Sequence, residues 1–415
     1  MFSLRAYRRR MTRLHRYAAI TGAVSLALAS ASAATAAPHQ GKPGAQTVRF
    51  ATFNASLNRA TEGQLERDLA TGDNVQAQNV AETIQRAEPD VVLVNEFDYS
   101  PEAAELFRDN FLAVGQRGAD PIEYPYHYIA PSNTGVPSGH DLNNDGTIGG
   151  GDDAYGFGLF PGQYGMVVYS RYPIDTDAVR TFQDFRWQDM PGNRIPTEYY
   201  SADEQADLRL SSKSHWDLPI EIGRSTVHFL TSHPTPPTFD GAEDRNGRRN
   251  ADEIRFWADY VTGGRSADYI YDDEGGRGGL ERNARFVIAG DQNADPNDGD
   301  STDNAIHQLL GSPRVNTSHT PTSDGGVEAS ELQGGINDEH TGDPAQDTAD
   351  FAEPPGNIRV DYVLPSRNLP IRDSEVFWPT SDSPLHRLTG TYPFPTSDHR
   401  LVWADVKVTG GPGRR

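Results

Sequence analysis

Four carboxylates (Glu96, Asp291, Asp361, Asp398), two amides (Asn54, Asn293) and two imidazoles (His233, His399) stand at the ends of apolar runs scattered along this chain of 415 residues. A hard divalent cation takes carboxylate and amide oxygen, and an imidazole exchanges its proton near neutrality. Together these groups suit attack of water on a phosphoester: a cation on the phosphate oxygens, an activated water, and donors to the developing charge. Glu96 and Asp398 offer carboxylates to the cation, and Asn54 a neutral oxygen. His399 is a candidate base that Asp361 could orient. Asp291 and Asn293, two apart at a strand end, can face one cleft, and His233 could donate to the phosphoryl group. Any one of them alone would read as a turn or cap residue; their joint recurrence is the signal.

The elements that must carry them are short and apolar. Residues 47–54 read as a strand, and 91–94 as a strand buried on both faces. Further strands are predicted over 164–169, 219–222, 226–230, 285–289, 358–364 and 400–406, and helices over 79–87 and 252–262. Long polar stretches at 131–163, 183–210, 235–250, 263–283 and 295–357 lack apolar periodicity and read as loop insertions. Strands continue on both sides of every insertion, and no repeat of fixed period is present, which favours one domain over 47–407.

The segments Thr52-Phe53-Asn54, Pro89-Asp90-Val91-Val92 through Glu96, Ser232-His233-Pro234, Gly290-Asp291-Gln292-Asn293-Ala294, Val360-Asp361-Tyr362-Val363 and Ser397-Asp398-His399 resemble the endonuclease/exonuclease/phosphatase superfamily. Its members include deoxyribonucleases, sphingomyelinases and inositol polyphosphate phosphatases. The resemblance implies an α/β four-layer sandwich, two mixed β-sheets packed face to face with helices outside. It implies a magnesium (or manganese) ion on Glu96 with Asn54 in support, and water activated by His399 with Asp361. Asp291 and Asn293 would orient the nucleophile or leaving group, and His233 would contact phosphate. Whether the aspartate or the histidine is the formal base stays open. Asn95 and Gln292 depart from the glutamine and phenylalanine usual at those places.

Composition sets limits on the substrate. Arg5, Arg8, Arg9, Arg10, Arg13 and Arg16 precede the mostly apolar run Tyr17 to Ala29, and Ala34-Thr35-Ala36 offers small residues for cleavage, the layout of a secretory signal peptide over 1–36. A flexible leader is expected over 37–46 and a flexible tail over 408–415, and the mature protein is expected outside the cell. There is no cysteine, so disulfides cannot stabilise it. Removing six arginines from the 37 basic residues leaves 31 against 59 acids, a charge of −28. Such a field repels polyanions, so a nucleic-acid substrate needs local compensation at the site. A monomeric, secreted nuclease or phosphodiesterase is the expectation. The alternatives are a phosphomonoesterase or lipid-headgroup phosphodiesterase and, from another class, a non-catalytic calcium-dependent binding module.

Several secondary candidates accompany the main set. Asp141, Asn143, Asp145 and Asp152 fall at positions one, three, five and twelve of a calcium-loop pattern with Gly146 at six, or form a simple Asp/Gly turn cluster. Arg245, Arg248 and Arg249 could hold phosphate or pair with the acids around them. Lys213 and His215 are weaker phosphate candidates, Trp216 is expected in the core, and Phe157 to Pro161 is the one stretch that resembles an aromatic hairpin.

Overall fold

The computed structural model describes residues 45–410, so the signal-peptide reading and most of the leader and tail lie outside the described residues. The strands are β1 (Gln46–Asn54), β2 (Val91–Asn95), β3 (Tyr126–Ile129), β4 (Met166–Ser170), β5 (Arg180–Thr181), β6 (His215–Ile222), β7 (Ser225–Ser232), β8 (Phe286–Asp291), β9 (Ala349–Asp350), β10 (Asn357–Ile358), β11 (Asp361–Pro365), β12 (Ile371–Val376) and β13 (Val402–Val408). One sheet has the order β12-β13-β1-β2-β4-β3, a second β11-β8-β7-β6-β5, and β9 and β10 form a separate pair. Both large sheets are mixed: β1/β2 and β7/β8 are parallel and the other pairings antiparallel. No helix among the described residues is long and apolar enough to cross a membrane.

Strand alternation builds three apolar layers. Val48, Phe50, Val91 and Leu93 of the first sheet meet Leu218, Val227, Phe229 and Val287 of the second between the sheets, with the Phe50 and Phe229 rings 5.4 Å apart. The alternate residues Ala51, Phe53, Val92 and Val94 face outward and pack on Val80 and Ile84 of the helix Val75–Ala87. On the far side Leu230, Phe286 and Ile288 pack on Ile254, Trp257 and Val261 of the helix Arg245–Thr262. Helix, sheet, sheet, helix is the four-layer sandwich that the resemblance implies. Sheet strands covered on both faces are apolar throughout, which is why Val91–Val94 carries no polar alternation.

The two long helices are crossovers between parallel strands, one in each sheet. Asn74 caps the first through Ala77 N at 2.9 Å, so it begins four residues before the predicted start. The second begins at Arg245, inside a stretch read as loop, because its first turns carry arginine and asparagine in place of apolar spacing. The stretch 295–357 is likewise more ordered than its composition suggests. It holds the helix Asp324–Gln333, capped by Ser323 through Gly326 N, and the strands β9 and β10.

His215 shows how tightly the second sheet is closed. Its ring lies 5.0 Å from both Phe256 and Trp257. Its Nε2–H donates to the Glu253 carbonyl at 3.0 Å and its Nδ1 accepts from Ser211 Oγ at 3.1 Å. The weak phosphate role considered for His215 is therefore corrected: both nitrogens are bound within the fold. Burial lowers its pKa from 6.5 to about 4, against the pull of the Glu253 carbonyl. Because the folded value is depressed, this group's contribution to stability is whole above pH 6.5 and is lost as pH falls from there to about 4. His215→Gln should remove roughly 3 kcal/mol of that acid-side loss. Urea midpoints at pH 7 and pH 4.5 measure it; an unchanged pH slope in the variant contradicts the assignment.

Candidate active site

All the expected strand ends meet at one edge of the sandwich. The parallel register pairs Asn54 with Asn95 across β1/β2, so Asn54 and Glu96 leave the first sheet side by side. In the second sheet β7 and β8 run parallel, and His233 and Asp291 emerge at the same end. β11 is antiparallel to β8 and sets Asp361 opposite Asp291. β13 is antiparallel to β1 with Val402 opposite Thr52, which brings His399, three residues earlier, to Asn54. Gly290 has φ +146°, and a Cβ there would sit 1.9 Å from the Ser232 carbonyl oxygen. Glycine alone permits that approach of β8 to β7.

His399 is the centre of a buried hydrogen-bonded run. Its Nδ1–H donates to Asp361 Oδ2 at 2.9 Å, and its Nε2 lies 3.7 Å from Asp291 Oδ2. Asn54 Nδ2 donates to Asp291 Oδ2 at 3.0 Å, and His233 Nε2 lies 3.3 Å from the same oxygen. Asn293 folds back through its N–H to Asp291 Oδ1 at 2.9 Å, and its Nδ2 donates to the Pro234 carbonyl at 3.1 Å. Glu96 stands beside this run, accepting from Asn58 Nδ2 at 2.8 Å. Glu96 and Asn293 both hold left-handed backbone, with φ 57° and 50°. Such conformations are strained for non-glycine residues.

Burial and charge set the protonation of the site. Burial pulls the His399 imidazole down, but the Asp361 and Asp291 carboxylates outweigh it and raise its pKa to about 10. Burial, reinforced by Asp361 and opposed by His399, pushes Asp291 up to about 7. Glu96 is raised by burial, with His399 and Asn54 opposing. His233 falls well below its ordinary value through burial and the nearby Lys213 and His399 charges, and stays neutral.

The oxygen donors suit a hard cation. Among the described residues one His/Asp/Glu group, Asp291, Asp361 and His399, has its ligand atoms within 4.8 Å of one another. Those atoms are largely satisfied by N–H donors, although Asp361 Oδ1 is buried without a hydrogen-bond partner. Glu96 and Asp398 are partly buried, and the Asn54 beside them is buried and donates to Asp291. Hard oxygen donors of this kind are what magnesium prefers.

The secondary candidates separate. Lys213 is buried on the segment before β6, where its pKa is lowered by burial and supported by Glu253, Glu96 and Asp291. It therefore faces the site. Arg245 pairs with Glu243, Arg248 with Glu198 at 3.2 Å, and Arg249 donates to the carbonyls of Leu210, Tyr155 and Arg209. The structure commits those arginines to the fold. In the 141–152 loop, Asp141 and Asp145 accept backbone N–H groups of the loop itself, and Asp152 is exposed. Asp153 closes the loop instead, accepting from Leu142 N and Gly149 N at 2.7 Å each. Asn143 Oδ1 likewise accepts from Asp145 N at 3.0 Å. Trp216 is core, as expected.

Three contributors escaped sequence reasoning. Thr348 Oγ1–H donates to Asp361 Oδ2 and accepts from Val360 N and Asp361 N, all at 2.9 Å. Glu253 accepts from Ser212 N at 2.8 Å and Thr235 N at 2.6 Å, so one helix residue fixes the segments bearing Lys213 and His233. Asn58 carries no motif beyond lying four residues after Asn54. Asn95, noted only as a departure, links the sheets beneath the site: its Oδ1 accepts from Thr52 Oγ1 at 3.1 Å and Asp291 N at 3.4 Å, and its Nδ2 donates to the Ser232 carbonyl.

The chain belongs to the Endonuclease/Exonuclease/phosphatase family, which it matches over residues 51–399. Members of that family are metal-dependent phosphoesterases. Among solved structures, it is similar to an endonuclease/exonuclease/phosphatase from Beutenbergia cavernae DSM 12333 at 17% identity and TM-score 0.48, covering 88% of this chain and 73% of that one. A sphingomyelinase C from Streptomyces griseocarneus is 16% identical, with TM-score 0.45 and coverage of 87% and 99%. A beta toxin from Staphylococcus aureus with bound magnesium ions is 14% identical, with TM-score 0.41 and coverage of 86% and 99%. No curated protein sequence matches the chain.

Thr348→Val removes one donor to Asp361 and the acceptor of two buried N–H groups. It should cost roughly 2–4 kcal/mol, and Thr348→Ser should restore most of that. Urea denaturation measures both; an unchanged midpoint in Thr348→Val contradicts the role.

Proposed function

We propose that the chain hydrolyses a phosphodiester with a divalent cation, magnesium by preference, held by Glu96 with Asn54 and Asp398. The observation that carries this is the run Thr348–Asp361–His399–Asp291 beside Glu96, with Lys213 and neutral His233 turned to the same cleft. When bound, the cation supplies positive charge to the phosphate oxygens. Asp291, with a pKa of about 7, takes the proton of the attacking water, since a base is most effective near the working pH. His399, kept protonated by its two carboxylates, stabilises charge on the phosphoryl group. This departs from the expectation drawn from the resemblance, in which His399 with Asp361 activates the water and Asp291 orients it. Asn293, anchored to Pro234 by its Nδ2, offers its oxygen to the same water, and Lys213 donates to the phosphoryl oxygens.

A single phosphodiester fits this chain better than a long polyanion. The arginines Arg245, Arg248 and Arg249 are committed elsewhere, leaving Lys213 in a cleft of a chain with net charge −22. A lipid phosphodiester is the second reading, favoured by Phe157 and Leu159, which are 53% and 62% exposed. Their loop is tied to the Glu96 side of the site through Gln163 Nε2 to the Arg59 carbonyl and Tyr164 N to Asp98.

The test is turnover of bis-p-nitrophenyl phosphate with magnesium, alongside p-nitrophenyl phosphate, duplex DNA, RNA and sphingomyelin. Diester cleavage should vanish with chelator and fall at least about 10³-fold in Glu96→Ala and in His399→Ala. Full activity in both variants would refute the site, and cleavage of the monoester alone would refute the diesterase. Lys213→Met should lower kcat/KM about 10²-fold; wild-type kinetics in that variant would remove the lysine from the cleft.

A further inference from the structure

The strands that carry Asp291, Asp361 and His233 have an opposite end, and it is rich in arginine. There β8 starts beside the close of β11, with Val287 paired to Pro365, and the β6/β7 hairpin turns between Ile222 and Ser225. Arg224 stands in that turn, Arg282 and Arg285 just before β8, and Arg367 just after β11. Arg314 joins them: its neighbour Val315 bridges to Ser366, and the Arg367 N–H donates to the Arg314 carbonyl at 2.7 Å. The four segments involved, 223–225, 281–285, 312–316 and 365–369, hold one acid, Glu281, with Glu221 just outside them.

In a chain with 59 acids and 37 basic residues, arginines gathered at one end should readily find carboxylates. Among the described residues none of these five is in an ion pair. Arg285 donates to Ser225 Oγ at 3.0 Å and to Thr409 Oγ1 at 3.2 Å, both neutral oxygens. Arg314 is held by the Arg282 and Glu281 carbonyls against the Phe286 ring. Its guanidinium thereby stays close to that of Arg282, and burial and this like charge both lower its pKa. Arg224, Arg282 and Arg367 are exposed. Like charges gathered without a counter-charge create a field that draws anions, and guanidinium forks suit phosphate oxygens. The six-residue β8 separates this end from Asp291, about 20 Å or roughly two screening lengths. The patch therefore does not serve a phosphate in the cleft.

The exposed large apolar side chains of the described residues, Phe157, Leu159 and Phe239 among them, all lie outside these four segments. The patch thus has no aromatic ring for bases to stack on and no apolar wedge to enter hydrocarbon; it can adsorb but not insert. A polyanion longer than the patch would run on over the acidic flanks of a chain of net charge −22. A plane touched end-on leaves most of those flanks beyond the screening length of about 8 Å. We propose that this end of the second sheet is a docking surface for an anionic lipid bilayer, held through headgroup phosphates. Docked in this way, the protein keeps the cleft, at the far end of the same strands, turned away from the bilayer. The inference does not depend on the phosphodiesterase reading.

Co-sedimentation with lipid vesicles tests it. At about 0.05 M salt the wild type should bind phosphatidylcholine vesicles containing phosphatidylglycerol at least about tenfold better than phosphatidylcholine alone, and about 0.5 M salt should release it. The double variant Arg282→Ser with Arg367→Ser, both exposed and outside the cleft, should bind the anionic vesicles about tenfold more weakly or worse. Its urea midpoint and its turnover of bis-p-nitrophenyl phosphate should stay at the wild-type values. Comparison with this variant cancels whatever the rest of the chain contributes to adsorption. No binding to the anionic vesicles, equal binding to both kinds, or binding undiminished in the double variant overturns the docking surface and leaves the phosphodiesterase reading standing. Duplex DNA that displaces the vesicles from the wild type, and that binds the double variant at least about tenfold more weakly, would assign the patch to nucleic acid and overturn the lipid surface too.

Discussion

A protonated imidazole held between two buried carboxylates is the constraint on which the rest depends. Asp361 and Asp291 are each 1% exposed and His399 is 5% exposed. Taking one such charge out of water costs several kcal/mol, and only close pairing offsets it. The three residues are therefore stable together and costly apart. Asp361 and Asp291 come from facing positions of β11 and β8 in the second sheet, whereas His399 lies on the segment just before β13, the neighbour of β1 in the first. The charge triplet thus fixes how the two sheets meet at this end. It also explains why neutral donors crowd around it: the Thr348 hydroxyl, the Asn54 amide and the His233 imidazole each supply a hydrogen bond or close contact to a carboxylate that water cannot reach.

From that centre the support spreads outward. Asn95 ties Thr52, Asp291 and Ser232 together beneath the site, and Gln292 Nε2 reaches Ser232 Oγ at 3.1 Å. These amides stand where the family more often has another residue; here Asn95 links the two sheets and Gln292 ties β8 to β7 within the second. Glu253 does the equivalent work from the helix layer, accepting the Ser212 and Thr235 amides. A reacting group must be held to within a fraction of an ångström. Here that rigidity comes from two parallel strand pairs, whose ends coincide by register, and from these buried side chains.

The strand ends were legible in the sequence because each polar residue closes an apolar run, and apolar runs buried on both faces are hard to mistake. Thr348 was not, since it lies in a polar stretch of 295–357 whose order comes from long-range contacts to Asp361 and not from its own periodicity. His215 looked available for phosphate because its neighbours are serine and lysine; its enclosure by Phe256 and Trp257 depends on a helix some forty residues away. The start of that helix was hidden by arginines that look free in one dimension and are bound to carbonyls and acids in three. In the 141–152 loop the spacing fits a calcium pattern, and the folded loop adds Asp153, which accepts from Leu142 N and Gly149 N, a contact that no spacing rule can register.

The charge state of His399 is the most direct measure of this account. In the metal-free protein, with the imidazole nitrogens labelled, NMR titration should find His399 protonated through pH 8 and losing its proton near pH 10, while Asp361→Asn should bring that titration well down toward neutrality. A wild-type His399 that titrates near its ordinary value of 6.5, or one unmoved by Asp361→Asn, would contradict the buried charge triplet from which the site is built.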